Sequence, residues 1–96
     1  MKLFTAKKHG KKAKMVADMF DLVVKFLRAR SSRRAGVLVA RMELHYKYVL
    51  RFDKRLAETL RVVVIEAVSA RLMGKSDKEF IREGIKKFIN AMVKKG

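Results

Sequence analysis

These 96 residues contain no cysteine, which excludes disulfides and thiolate metal sites and fits a reducing compartment. Proline and glutamine are also absent and Asn90 is the only asparagine, a bias away from thermolabile amides associated with proteins of hot habitats. No apolar run approaches the length of a membrane span, and Asp18 and Asp21 interrupt the only apolar segment near the N-terminus, so neither a signal peptide nor a membrane anchor is expected. Acidic side chains are scarce. Nine Asp and Glu against 25 Lys and Arg leave a net charge of +16 and a pI near 10.8. An excess of that size on so short a chain points to a polyanionic partner, with nucleic acid first among the candidates. Catalysis finds little support: His9 and His45 are isolated from metal-spaced acids, the serines sit in cap or connector positions, and no glycine-rich phosphate loop occurs. No metal, cofactor or small-molecule ligand is indicated.

Residues 1 to 14 carry Lys2, Lys7, Lys8, Lys11, Lys12 and Lys14 with no acid, and Gly10 is expected to break any early helix. The segment reads either as a solvated tail or as a basic arm lying along phosphates, and the purely cationic composition favours the arm. From Lys12 to Arg30 the residues Met15, Val16, Met19, Phe20, Val23, Phe26 and Leu27 share one helical face, opposite Lys14, Asp18, Asp21, Lys25 and Arg28. This is an amphipathic helix, closed by Ser31 to Gly36. Residues 1 to 36 hold eleven basic and two acidic side chains and the remaining sixty hold fourteen and seven, so the partner is expected to touch both parts. The expected division is a basic arm and helix over 1–36 and a DNA-binding and dimerisation domain over 37–96.

Between Met42 and Phe52 every even position is apolar, namely Met42, Leu44, Tyr46, Tyr48, Leu50 and Phe52, while the odd ones run Glu43, His45, Lys47, Val49 and Arg51. That alternation predicts a half-buried strand over about Glu43 to Phe52, with 37–40 readable as strand or helix. Asp53 offers a helix N-cap, and no proline or glycine stands between Lys54 and Met73. Gly74 ends that helix. Ser76 with Glu79 forms a capping box that starts another, running to about Lys94. Gly84 on its buried side suggests close approach by a neighbouring helix.

The fold class expected is therefore mainly α with one β-strand, in the order α-β-α-α. A lone strand cannot satisfy its own main chain, so it is expected to pair with the same strand of a second copy about a two-fold axis. The intertwined homodimer would bury Tyr48, Leu50, Phe52, Leu60, Val64, Ile81, Ile85 and Phe88 in a shared core.

The strand running into Leu50-Arg51-Phe52-Asp53, followed by Gly74-Lys75-Ser76-Asp77-Lys78-Glu79-Phe80-Ile81-Arg82-Glu83-Gly84-Ile85-Lys86-Lys87-Phe88-Ile89, resembles the ribbon-helix-helix family of DNA-binding proteins, the Arc and Met repressor class. The resemblance covers the C-terminal half of the chain and leaves residues 1 to 36 outside the pattern. It implies a transcriptional regulator that lays a two-stranded antiparallel ribbon in the DNA major groove, with Lys47, Val49 and Arg51 reading bases.

Phosphate contacts are expected from the start of the last helix, at Lys75, Ser76 and Lys78, and from Lys7, Lys8, Lys11, Lys12, Arg30, Arg33 and Arg34. The partners expected are double-stranded DNA and a second copy of the chain, with higher assembly on DNA left open, and the location a cytoplasmic, nucleoid-associated one. The alternative is an architectural protein that coats or packages DNA with little sequence specificity, histone-like variants included.

Overall fold

The segment with alternating polarity closes its hydrogen bonds within itself. In the computed structural model, which describes the backbone of residues 2–95 and the side chains of residues 10–87 and Asn90, residues 43–52 form the second half of a helix. Four helices follow one another: α1 Lys2–Arg28, α2 Ser32–Phe52, α3 Lys54–Leu72 and α4 Asp77–Lys95. No strand occurs among the described residues, so the α-β-α-α order, the strand-paired homodimer and the ribbon are all corrected.

The physical reason lies in main-chain hydrogen bonding. A solitary strand leaves its donors and acceptors open, whereas a helix satisfies them inside one segment. Two periodicities coexist in this stretch, and the helical one also buries more. Ala35, Leu38, Met42 and Val49 share a face and are nearly or wholly inaccessible, with Val49 at 0% exposure. Ser31 caps the helix in an extended conformation, its hydroxyl oxygen accepting from the Arg34 amide at 3.1 Å. α2 therefore runs straight through the expected domain boundary at residue 36.

α1 is longer than its sequence suggests. It passes through Gly10, around which an added Cβ would find no atom within 4 Å, so glycine there neither breaks the helix nor serves a close contact. Met15, Met19, Val23 and Phe26 form its buried stripe. α3 contributes Ala57, Leu60, Ala67 and Ala70, three of them small enough to bring its backbone near its neighbours. Leu60, expected in a dimer core, thus lies in the core of the single chain, with Val64 packed beside it.

Helix ends follow the caps. Asp53 is at once the C-cap of α2 and the N-cap of α3, its carboxylate accepting from the Leu56 amide at 3.1 Å. α3 ends in a Schellman arrangement: the Gly74 amide donates to Arg71 and the Lys75 amide to Ala70, with Gly74 at φ 77°, the only positive φ among the described residues. Ser76 then accepts from the Glu79 amide at 3.2 Å and starts α4.

Side-chain pairs fix the directions. His45 meets Met15 and Lys11 meets Phe52, so α2 runs antiparallel to α1. Tyr46 meets Arg61 across the antiparallel α2–α3 pair, and Glu66 meets Lys87 across α3 and α4. α1 and α3 run parallel, joined by Lys12 to Asp53 at one end and by Arg71 to Phe26 and Ala29 at the other. A groove of about 610 Å³ remains between α4 and the α1–α3 pair, lined by Phe20, Val24, Val63, Phe80 and Ile85 among others. Gly84 faces it with nothing within 4 Å of a would-be Cβ, which corrects the expected close helix approach.

Candidate nucleic-acid interface

The bundle sorts its charges by what each helix must hold together. Six acids are in ion pairs: Asp53 with Lys12, Asp18 with Lys14, Asp21 with Lys25, Asp77 with Arg28, Glu83 with Lys75 and Glu66 with Lys87. All but the Lys14 and Lys25 pairs join elements that the chain must hold in register. The Asp77 carboxyl is held below its usual range chiefly by the Arg28 side chain, and Glu83 is lowered chiefly by Lys75. Asp53 is lowered first by the Leu56 amide and then by Lys12, and Lys87 is raised by Glu66.

α2 stands apart from this pattern. Its only acid is Glu43, which turns toward α3 beside Ile65 in a shallow cleft. Its outward face carries Arg33, Arg41, Lys47 and Arg51, all exposed and in no ion pair among the described residues, interleaved with Val37, Leu44 and Tyr48. Arg30 and Arg34 extend the same cationic surface around the α1–α2 turn. At 1.5 Å per residue this face is about 30 Å long, close to one helical turn of B-form duplex at about 34 Å. The first-turn amides of α2, Ser32 and Arg33, have no preceding turn to donate to and add a positive dipole end there.

The residues expected to read bases are divided. Val49 lies at the bottom of the core and cannot reach a ligand. Lys47 and Arg51 remain one helical turn apart on the exposed side of α2, on a helix instead of a ribbon. The expected dimer core is likewise scattered: Tyr48 is 54% exposed on the outward face of α2, Leu50 and Phe52 are partly exposed, and Ile81 and Ile85 flank the open groove. The Phe88 side chain lies outside the described residues.

The expected phosphate contacts fall at two ends of the bundle. The Arg28–Asp77 pair, 2.8 Å, brings the α1–α2 turn and the α3–α4 turn to the same end, so Arg30, Arg33 and Arg34 share it with Lys75, Ser76 and Lys78. Of these, Lys75 is held by Glu83 and Ser76 is occupied as the α4 cap, leaving Lys78 exposed. At the opposite end Lys12 is held by Asp53 and Lys11 lies 4.6 Å over the Phe52 ring, while the side chains of Lys7 and Lys8 lie outside the described residues. Alternation hid the continuous face of α2. The spacing of Ala35, Leu38, Met42 and Val49 was the available signal for it.

Among the described residues no group of three His, Cys, Asp or Glu could hold a metal ion, and no helix is long and apolar enough to cross a membrane. No protein-family model, curated protein or solved structure matches this chain. Of the two stretches that carry the resemblance to ribbon-helix-helix proteins, the expected strand is part of α2 in the structure.

Proposed function

We propose that this protein is an architectural nucleic-acid-binding protein that grips the phosphate backbone of duplex DNA with the outward face of α2 and the arginines at the α1–α2 turn. The observation that carries this reading is the run of cationic side chains from Arg30 to Arg51, in no ion pair among the described residues, on a chain that holds six of its nine acids in ion pairs with other cations. Arginine suits the role because its planar fork donates to two phosphate oxygens at once. Contacts of this kind position a protein on the duplex without reading sequence. Coating therefore fits better than the operator-specific regulation that a groove-inserted ribbon would have supplied.

The test is a titration of fluorescent duplex at several salt concentrations. Removing one phosphate contact should flatten the dependence of log affinity on log salt by about 0.9. Arg33→Ala, Arg34→Ala and Arg41→Ala combined should flatten it by the equivalent of two or three contacts, whereas Lys14→Ala with Lys25→Ala, whose ammonium groups already face acids, should change it far less. Equal losses in the two variants would remove the assignment to α2. Binding to phosphatidylserine vesicles as tight as to duplex would transfer the face, with its exposed Leu44 and Tyr48, to a lipid surface.

A further inference from the structure

The outward face of α2 carries apolar side chains that a grip on phosphates alone does not use. Leu44 is 66% exposed, Tyr48 54% and Val37 44%. At about 100° of turn per residue the three fall within about 40° of one another, with Arg33 and Arg51 along one flank of the line and Arg41 along the other. Ala40, one turn before Leu44, carries only a methyl group, so Leu44 stands clear of its helical neighbour. The Tyr48 ring leans on the His45 ring with 6.0 Å between centroids, and His45 is itself bound to the Met15 main-chain oxygen. Leu38, Met42 and Val49 already fill the core side of the helix, so the outer line adds nothing to the packing of the chain.

We propose that, once the arginines have drawn this face onto a duplex, Leu44 and Tyr48 wedge into the minor groove and part a base step, so that the DNA bends around α2. The inference rests on the phosphate-grip reading and gives it a preferred substrate, DNA that is bent or easily unstacked. The register selects the occupant. Arg41 and Arg51 stand ten residues apart, about 15 Å along the axis, which lets them reach phosphates on both walls of a minor groove about 6 Å wide with Leu44 and Tyr48 between them. Major-groove base edges present hydrogen-bonding groups, which suit arginine at the centre of a face and leave an apolar centre unmatched. The faces of stacked bases are apolar, and side chains such as leucine that enter between them kink the duplex by about 20–90°. Unstacking costs free energy, and the bend offsets it by bringing more phosphates within reach of Arg30, Arg33 and Arg34.

The test is resonance energy transfer between dyes on the two ends of a duplex of about 25 base pairs, titrated with the full chain. Saturation should bring the ends together. Leu44→Ala with Tyr48→Ala, at two exposed positions, should keep the helical circular dichroism spectrum and the salt slope of binding, which counts cations, while the transfer stays at its free-duplex value. Leu44→Phe should keep the bend. A central mismatch, which weakens stacking beforehand, should tighten wild-type binding at least several-fold and leave the double variant unable to tell the two duplexes apart. Wild-type binding without bending, a double variant that bends the duplex as fully as the wild type, or an equal response of both chains to the mismatch would each overturn the wedge and leave the phosphate grip standing. A wild-type chain that binds no duplex would overturn both.

Discussion

The Nε2 atom of His45 lies 2.9 Å from the main-chain oxygen of Met15 and fastens the middle of α2 to the middle of α1. A strand with alternating faces would have turned this imidazole to solvent. Because the acceptor is a carbonyl, the Nε2–H tautomer donates. Replacing His45 by Leu keeps an apolar contact and removes the bond, so the stability read from urea unfolding should fall by about 0.5–1.5 kcal/mol. No change would mean that the α1–α2 contact is carried by Met19, Leu38 and Met42 alone.

Arg71 ties α3 to the end of α1. Its Nη1 donates to the carbonyl oxygens of Phe26 and Ala29, each at 2.8 Å, while the guanidinium lies 5.3 Å over the Phe26 ring. These carbonyls lie where the i+4 ladder of α1 runs out, the Phe26 oxygen accepting besides only a longer bond of 3.3 Å from the Ala29 amide. Arg71→Ala should destabilise the chain by about 1.5–3 kcal/mol, since hydrogen bonds from charged donors are the stronger ones. Arg71→Lys should recover only part of that stability. Thermal melts of the two variants give the comparison.

Two glycines should respond in opposite directions to the same substitution. Gly84 sits inside α4 with open space around a would-be Cβ, so Gly84→Ala gains helix propensity and should raise stability by about 0.5–1 kcal/mol. Gly74 holds φ 77° in the α3–α4 turn, where a side chain is strained whatever the space. Gly74→Ala should therefore lower stability by about 1 kcal/mol. The pair of unfolding midpoints should move apart.

The pH dependence should be confined to the two extremes. Asp53, Asp77 and Glu83 have folded pKa values below their ordinary ones, so their contribution is fully present above the ordinary carboxylate range and is lost as pH falls through the lowered values. The unfolding midpoint should therefore drop below about pH 4. Lys87 is raised, so its contribution is present below the ordinary lysine value and disappears only as pH rises beyond about 10.5. Asp53→Asn should shallow the acid limb and leave the alkaline limb in place.

Local signals in the sequence carried the helix ends better than the fold. Asp53, Gly74 and the Ser76–Glu79 pair stand where α3 and α4 begin and end, because a cap is a contact between near neighbours and needs no tertiary information. Residues 42 to 52 read as a strand because alternate apolar residues satisfy the strand period, while Leu38, Met42 and Val49 satisfy the helical one. Tertiary contacts decide between the two, and Met15 opposite His45 is not visible in a linear order. The cationic excess was legible from composition. Which cations stay outside ion pairs, those of α2 among them, was not, because knowing that requires Arg28 to be placed beside Asp77 and Lys12 beside Asp53.

Only Asp53 separates α2 from α3. That residue makes the reversal alone, as a cap on each side and as the partner of Lys12, with no linker residue to spare. The angle between the cationic outer face of α2 and the exposed Val62 and Ile65 of α3 is thereby set at a single joint, like the fixed arms of a set square. Lengthening that joint by a single glycine would part the two caps that Asp53 now joins and let the bearing of one helix on the other vary.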